Sequence, residues 1–539
     1  MSRLKYVLGM MMLEMAFSVF SVAQENTVGL IFNSGESFDA YTLFSPAGNK
    51  LVYLIDNDGR IVHQWESEYP PGNAVYLMED GTLYRAGRTN DDRIRAGGAG
   101  GVIEKFDWDG NVIWTYENST AESRLHHDFQ VLPNGNVLVL VWESIKKEDL
   151  IANGRDPEIS PDTGLWPEMV LEIQPIGTEG GNIIWEWHAW DHLVQDFDAT
   201  KENFGVVSDE IGKINLNYVK EGKEGSDWHH ANSINYNADL DQIMISVLNF
   251  DEIWIIDHNT TTEEAREEKG DLIFRWGNPI TYSVGTVDDQ QLFGQHNAQW
   301  IGAGLPDEGK IMIFNNGKNR PSGDYTSIVK IDPMQNSEGI YEKDEWGSFL
   351  PSTFDYEYTA DVPTDFYSWY ISGVQQLPNG HLLINDGAHG TFYEIDENES
   401  MVWKYINPVV GNGPLNQGQI PVSPDNTPLN AVFRALKYGK GFKAFSEKDM
   451  NPGAFVEIVI LDVPIAMEIA IYPNPSSDWI HIRNIDSNIR DMKIYNEFGQ
   501  LMSHIPVENS LVDFHVSEFP KGLYYLVIDK KKTHKIVVN

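Results

Sequence analysis

The sequence predicts an all-β fold, a six-bladed β-propeller followed by a small β-sandwich-like domain. Two observations support this prediction. A unit of four short apolar strands recurs about every 40–60 residues, the period of propeller blades. Asn-Gly and Asp-Gly pairs stand between the alternating apolar runs, where they favour the positive φ angles of tight hairpins. The 539 residues, 41% of them hydrophobic, suffice for one large β-body and a small extra domain.

The repeated unit consists of two strands around the hairpin turn, a variable connection, a third strand ending near aspartate and a fourth strand closing on tryptophan. Its clearest copies read NAVYLMEDGTLYRAG at 73–87, HDFQVLPNGNVLVLV at 127–141 and VQQLPNGHLLIND at 374–386, with longer copies starting at His230 and His296. The closing tryptophans are expected to pack between blades; they are Trp114, Trp185, Trp276 and Trp403. Five blades are thus predicted between Asn73 and Tyr405.

A sixth blade is predicted from the two ends of this region. Residues 50–65 and 432–461 read as strands that lack partners. Pairing them in one sheet would close the ring and leave no open sheet edge, which otherwise invites aggregation.

The domain boundaries follow from changes in composition. A positive start at Arg3 and Lys5, an apolar run over 7–20 and the small residues Ser21-Val22-Ala23 predict a signal peptide over 1–23. The propeller is assigned to 24–466. No later segment has about 18 unbroken apolar residues, so no transmembrane segment is expected in the mature protein.

A different pattern begins near residue 467. The segments IYPNPSSDWIHI, MKIYNEFGQLM and GLYYLVIDKKKTHKIVVN predict a separate set of short strands. They resemble the C-terminal sorting domain of the type IX secretion route. The resemblance implies that residues 467–539 engage the type IX secretion machinery, and that the protein is secreted or placed on the cell surface.

Charge and cysteine content exclude several functions. The formal net charge is −41, from 80 acidic and 39 basic residues, so the basic surface needed to bind nucleic acid is missing. The sequence has no cysteine, which excludes disulfides, thiolate nucleophiles, iron–sulfur clusters and a sulfatase whose nucleophile is made from cysteine.

Three histidines occupy corresponding positions in three consecutive blades. His127, His230 and His296 begin the inner strands, and these strands start at the mouth of the central channel, so the three side chains should converge. A lone histidine in a β-protein is usually a polar side chain whose hydrogen bonds are satisfied by the fold. The fold alone, however, does not require three histidines at the same position of the repeat. A metal site is the nearest competitor, because imidazoles suit zinc, copper and nickel. The companions, however, are the amides Asn232 and Asn297, which favour an oxyanion substrate. We therefore predict no metal and no cofactor.

Residues 45–460 resemble the bacterial arylsulfotransferases. The motifs that carry the resemblance stand in the family order: HHDFQVLPNGN, HHANSI, QHNAQW and IFNNGKNRP followed by YTSIVKID. The resemblance implies a six-bladed propeller that moves a sulfuryl group from an aryl sulfate to a phenol in two steps, without a cofactor. It places the nucleophile at His296 and supporting residues at His127, His230, Asn232 and Arg320.

The mechanism implied by the resemblance is covalent. His296 would attack sulfur, leaving a sulfohistidine that a second phenol resolves, which predicts ping-pong kinetics. His127, His230 and Asn232 would donate to the sulfuryl oxygens. The glycine run 97–101 lacks the Lys-Ser/Thr of a phosphate-binding loop, so a nucleotide-activated sulfate donor is not supported.

One position departs from the family pattern. The family arginine that helps to hold the sulfate falls on Leu248. Its loss removes a bidentate anion clamp, which Arg320, Lys318 or Arg434 could replace. Two alternatives therefore remain. The enzyme could have impaired activity, or the protein could be a non-catalytic exported propeller that binds a small anion or a cell-surface polymer.

Overall fold

The computed structural model describes residues 26–459, 469–483, 489, 491–507, 511–528 and 532–539. The predicted signal peptide, residues 1–23, lies outside the described residues. Contacts divide the chain into two compact units, Met1–Ile458 and Val459–Asn539.

The larger unit is a propeller whose blades are antiparallel sheets. Blade 1 comprises Pro71–Leu77, Leu83–Arg88, Gly101–Phe106 and Val112–Glu117; blade 2 comprises Ser123–Val131, Val137–Glu143, Glu168–Pro175 and Gly181–His188. Blade 3 comprises Ala231–Asn237, Gln242–Val247, Glu252–Asp257 and Phe274–Trp276; blade 4 comprises His296–Trp300, Ile311–Asn315, Ser327–Ile331 and Tyr356–Tyr358. Blade 5 comprises Gly373–Gln376, Leu382–Asp386, Thr391–Ile395 and Met401–Ile406. The first strand of each blade contacts the first strand of the next around the centre.

Blade 6 joins the two ends of the propeller. Its inner strand, Val432–Gly439, pairs with Ala40–Pro46, and Leu51–Ile55 and Ile61–Glu66 complete the sheet. The prediction of six blades, with the two ends of the propeller region in one sheet, is confirmed. The second strand expected in 432–461 is not formed: residues 454–459 make only isolated bridges, and residues 460–461 lie outside the described residues.

A strand that the sequence did not reveal lies before blade 6. Gly29–Asn33 pairs antiparallel with Met401–Ile406 and becomes the fifth, outermost strand of blade 5. This strand directly precedes the first strand of blade 6 in the sequence but pairs with blade 5. It therefore links the two blades beside the point where the ring closes.

Tryptophans on the fourth strands link neighbouring blades. Each indole N–H donates to a backbone carbonyl of the following blade: Trp114 to Gly180, Trp187 to Gly270, Trp276 to Pro351, Trp403 to Asn57 and Trp65 to Asp107, at 2.6–3.1 Å. Trp185 donates to the Thr260 hydroxyl instead, at 3.2 Å. The indoles are buried, so each bond satisfies a donor that would otherwise be desolvated without a partner.

The inner strands are irregular near their starts. In blades 1 to 4 the pairing of the inner strand with the second strand shifts register there. Left-handed φ angles of 49–94° occur at the same places, on Asn73, His127, His230, Asn297 and Ser372. A bulge of this kind leaves a backbone N–H unpaired and re-aims side chains. The irregularity therefore directs side chains at the channel mouth.

Polar side chains of one blade accept hydrogen bonds from backbone N–H groups on the inner strand of the next blade. Asp128 Oδ2 accepts from Ile234 N, Ser233 Oγ from Ala298 N and Asn297 Oδ1 from Val374 N, at 3.3, 3.2 and 2.9 Å. Buried backbone donors need such partners. The inner ring is thus held by side-chain bonds between blades.

Short elements lie in the connections. The α-helices are Lys147–Ala152 and Thr262–Ala265, and the two-residue strand pairs are Leu193–Val194 with Ile214–Asn215 and Val409–Val410 with Gly413–Pro414. The 3₁₀ turns are Pro157–Ile159, Ala189–Asp191, Val207–Asp209, Leu248–Phe250, Glu268–Gly270, Pro279–Tyr282, Val287–Asp289, Pro363–Asp365 and Lys443–Phe445.

The C-terminal unit contains two sheets with a shared core. One sheet has strands Ala470–Tyr472, Trp479–Arg483 and Val512–His515; the other has Leu501–Pro506, Asp491–Asn496, Gly522–Ile528 and Lys532–Val538. Ile480 and Ile482 of the first sheet share a buried cluster with Ile494 and Leu526 of the second. This packing confirms the predicted β-sandwich-like domain.

Two truncations should separate the propeller from the C-terminal unit. A chain that ends at residue 466 should keep the cooperative unfolding and the Tm of the propeller, because its buried clusters are complete without the tail. A chain that ends at residue 431 lacks the inner strand of blade 6 and should not fold cooperatively. Calorimetry measures both. A clear fall in Tm for the longer chain would show that the tail is part of the propeller fold.

Candidate functional site

The mouth of the channel holds a cavity of about 500 Å³ in which the three predicted histidines meet. His127, His230 and His296 all line it, together with the aromatic side chains of Trp369 and Phe433. The rings of His127 and His230 lie 4.6 Å apart between centroids. A cavity of this size with a few convergent polar groups suits a small aromatic ligand.

Hydrogen bonds fix the tautomer of His296. Its Nδ1 lies 2.8 Å from Oδ1 of Asn316 and 3.2 Å from the carbonyl of Gly294. The amide nitrogen of Asn316 donates to the carbonyls of Ser368 and Ile371, so its oxygen must be the acceptor. Nδ1 of His296 therefore carries the hydrogen, and Nε2 keeps its lone pair.

Burial keeps the His296 ring neutral. It lowers the pKa of His296 to about 3, with the charge of His230 adding to the effect and the Asn316 bond opposing it. A neutral imidazole with a free Nε2 lone pair is a competent nucleophile at neutral pH.

A chain of buried groups lies behind His127. Nδ1 of His127 lies 2.9 Å from Nδ1 of His126, and Nε2 of His126 lies 2.8 Å from Oε2 of Glu168. The ring of His126 stacks on Trp142, with centroids 4.2 Å apart. Burial lowers the pKa of His127 well below its usual value and that of His126 to about 3. Both rings are therefore neutral at neutral pH.

His230 has a different partner. Its Nδ1 lies 2.5 Å from Oδ2 of Asp227, three residues earlier, and the two side chains are 14% and 21% exposed. A carboxylate in this position orients an imidazole. His230 is therefore held by a carboxylate, whereas His127 contacts another histidine and His296 contacts an amide.

Two of the cavity histidines have a strained backbone. His127 and His230 have φ angles of 49° and 54°, in the left-handed region that residues other than glycine seldom adopt. In blade 4 the corresponding residue is Asn297, so His296 lies one position earlier than the repeat alignment placed it. Strain of this kind is often retained at functional sites.

The predicted substrate-binding residues are not among the residues that line the cavity. Asn232 is fully buried, and its amide donates to the carbonyl of Gln295 at 2.7 Å. Asn297 accepts from the backbone of blade 5. Arg320 packs over Phe293 and Tyr325. In this arrangement Asn232 and Asn297 bond to backbone near His296, and Arg320 donates to the Ser327 hydroxyl at 2.6 Å. Their role in binding substrate stays a prediction.

Lys220 lies beside Leu248, the position at which the resemblance led us to expect an arginine. Leu248 lines the cavity, and Nζ of Lys220 donates to its carbonyl at 3.2 Å and to Asp251 at 2.7 Å. Lys318 also lines the cavity. Arg434, by contrast, is buried beside Asp128, with 3.0 Å between Nη1 and Oδ2.

The glycine run 97–101 covers the histidines. A Cβ built on Gly98 would lie 2.0 Å from Nε2 of His127, and one built on Gly97 would lie 3.6 Å from the ring of His230. Gly98 also has a φ of +78°. The run therefore serves close approach to the imidazoles, a role distinct from phosphate binding.

Sequence reasoning missed four residues of the site. They are Glu168, Asp227, Asn316 and Lys220. Local signals existed for two of them: Asp227 stands three residues before a cavity histidine, and Asn316 lies within the Asn-Asn-Gly motif. Glu168 contacts His126 across 42 residues, and no local pattern marks it.

Gly98→Ala should displace the ring of His127. The added Cβ would collide with Nε2, so we expect a loss of about 1–3 kcal/mol from overpacking, beyond about 1–2 kcal/mol for a left-handed alanine. Gly110→Ala is the matched control, since its φ is +87° and nothing lies within 4 Å of its Cβ position. Urea denaturation and ¹⁵N NMR of the histidine rings measure both effects. Equal losses, with unshifted His127 signals, would contradict the contact.

Comparisons with known proteins identify both parts of the chain. The arylsulfotransferase (ASST) family matches residues 20–409, and the secretion system C-terminal sorting domain matches residues 470–539. No curated protein matches the chain.

Several solved structures are similar to part of the chain. A protein of unknown function from Bacteroides caccae is 12% identical, with a TM-score of 0.38, over 74% of this chain and 98% of that one. A streptogramin B lyase is 12% identical, with a TM-score of 0.34, over 72% of this chain and 84% of that one. The β-propeller domain of Cps50 (Swd1) from Myceliophteria thermophila is 11% identical, with a TM-score of 0.34, over 71% and 87%.

The two family matches have different consequences. The sorting domain indicates export, to the cell surface or the medium, and suggests the secretion machinery as a partner. Within the described ranges, no helix is long and apolar enough to cross a bilayer. The match over residues 20–409 covers more than half of the chain and supports sulfuryl transfer in general. The chain belongs to the arylsulfotransferase family.

Proposed function

We propose that this protein is an aryl-sulfate sulfotransferase that works through a sulfohistidine on His296, without a nucleotide sulfate donor. The observation that carries the proposal is the fixed tautomer of His296, whose Nε2 lone pair is free at a cavity shared with two further imidazoles. In the first step Nε2 bonds to sulfur and an aryl oxide leaves. In the second a phenol takes the sulfuryl group and restores the neutral ring.

The cavity supplies groups for the charge of the substrate. His127 and His230 flank His296 and would donate to the sulfuryl oxygens as charge shifts in the transition state. Lys223 and Lys318 border the same cavity and offset locally the negative field of a chain with net charge −41, whereas the ammonium group of Lys220 is paired with Asp251. Asn232, Asn297 and Arg320 would act by holding the inner strands of blades 3 and 4.

Aromatic side chains suit the aryl group of the substrate. Trp369, Tyr370 and Phe433 border the cavity, where they can stack on or edge against a phenyl ring. One cavity can serve both half-reactions, because donor and acceptor are both phenolic and the ping-pong order never requires them to bind together.

A second candidate is a propeller that only binds a small anion or a cell-surface polymer. Leu248 favours it, since the guanidinium expected at this position is missing. Lys220, beside Leu248, is paired with Asp251 and lacks the bidentate geometry of arginine.

Incubation with an aryl sulfate and no acceptor should add the mass of one SO₃ group to His296. Labelling should persist at pH 5, because a ring with a pKa of about 3 is still neutral there. His296→Ala should abolish labelling and turnover, and His127→Asn or His230→Asn should slow turnover about 10²–10³-fold. Peptide mass spectrometry locates the group. Labelling of His127 or His230 in place of His296 would overturn the assignment of the nucleophile.

Leu248→Arg should raise turnover if the weak anion clamp limits the reaction, with the larger effect on KM for a clamp used in the ground state. Leu248→Met is the matched control, because it changes the side chain without adding charge. Steady-state kinetics with a chromogenic aryl sulfate measure both. Labelling by Leu248→Arg alone, with an inert parent protein, would instead support the binding function.

A further inference from the structure

Glu168 is a fully buried carboxyl group without a cationic partner among the described lysines and arginines. Its side chain is 0% exposed, as is that of His126, its nearest titratable neighbour. Oε1 accepts from the backbone N–H of Ala231 at 2.7 Å, and Oε2 faces Nε2 of His126. An ionised carboxylate in such a place is costly, so the neutral acid is the resting form.

The surrounding titratable groups have opposing effects on the pKa of Glu168, and burial outweighs them. His229 accepts from the backbone N–H of Glu168 at 3.1 Å and has a lowered pKa, so it is neutral. Asp227 raises the pKa of Glu168 further, whereas His230 lowers it. Burial dominates and holds that pKa well above its usual value.

A protonated Glu168 fixes both histidines behind the cavity. Since Oε1 accepts from Ala231, the acid proton lies on Oε2 and is donated to Nε2 of His126. Nδ1 of His126 then carries a hydrogen and donates to Nδ1 of His127. The hydrogen of His127 is left on Nε2, which lies against Gly98, and both residues line the cavity.

We propose that Glu168, His126 and His127 form a proton relay that protonates the departing aryl oxide and stores the vacancy on Glu168 between the two half-reactions. The proposal rests on the proposed function. In this relay Glu168 and His126 are positioning residues that act through His127. The relay would let the enzyme use aryl sulfates whose phenolate is a poor leaving group.

The relay balances in both directions. As the N–S bond forms, the S–O bond breaks and its electron pair stays on the aryl oxygen, which takes the proton of His127 Nε2. Nδ1 of His127 takes the proton of His126 Nδ1, and Nε2 of His126 takes that of Glu168. A neutral phenol leaves, and Glu168 becomes a carboxylate. The acceptor phenol then gives its proton to His127, the shifts reverse, and its oxygen attacks sulfur.

His230 is less suited to this donation. Its Nδ1 contacts Oδ2 of Asp227 at 2.5 Å, and that contact ends at a partly exposed carboxyl group. The chain behind His127 instead continues through His126 to the buried Glu168.

Glu168→Gln tests the relay, because glutamine keeps the hydrogen bonds but cannot release a proton. Its amide N–H₂ can donate to His126 and its oxygen can accept from Ala231. Sulfation of His296 by phenyl sulfate should slow about 10²-fold or more, the usual contribution of general acid catalysis. Sulfation by 4-nitrophenyl sulfate should change only a few-fold, since nitrophenolate leaves without a proton. Single-turnover phenol release measures both rates.

Two comparison variants show whether the effect belongs to the relay. Glu172→Gln removes a buried carboxyl group of the same strand that contacts His258 at 3.0 Å, away from the cavity, and should leave both rates unchanged. His126→Phe keeps the stacking on Trp142 while breaking the path, and should repeat the split between donors even if Glu168→Gln fails to fold.

The contrary results are distinct. Equal slowing of both donors in Glu168→Gln and His126→Phe would show a purely structural role and overturn the relay, as would unchanged rates. If only Asp227→Asn slowed sulfation by phenyl sulfate more than sulfation by 4-nitrophenyl sulfate, His230 would be the donor of the proton to the departing phenolate. A parent protein that neither donor labels would contradict the proposed function itself, and the relay with it.

Discussion

The pairing of Val432–Gly439 with Ala40–Pro46 is the constraint on which the rest of the structure depends. It joins strands almost 400 positions apart in the sequence, so each blade has a neighbour on both sides. Only a closed ring brings the starts of the inner strands to one mouth. The tryptophan N–H bonds between blades hold the ring at its periphery, and polar side chains between the inner strands hold it at the centre.

The site uses irregularities that this ring tolerates. Bulges at the starts of the inner strands turn His127 and His230 toward the cavity with left-handed backbones. Burial then disfavours the charged form of the rings, so a nucleophile and a proton donor can coexist at neutral pH. The lysines lie at the border of the cavity, where they can attract an anion without protonating or crowding the imidazoles.

The two members of each His-His pair have different contacts. The second member of each pair, His127 or His230, lines the cavity, and the first member, His126 or His229, contacts Glu168 from behind. The left-handed backbones of His127 and His230 accompany this separation of the two members into different environments. The buried carboxyl group of Glu168 in blade 2 thus bonds to Ala231 of blade 3 and, through His126, to the imidazole of His127.

Much of the fold and part of the site follow from the sequence by itself. Hairpin glycines and apolar alternation are local, so they determined the strands, the six blades and the three convergent histidines. Leu248 was likewise readable as a departure. The sequence could not show that Asn297 and Asn232 bond to neighbouring backbone, or that Glu168 lies behind His127. Those contacts join distant segments through bulges, and only the closed ring decides which polar groups meet and which of them are buried.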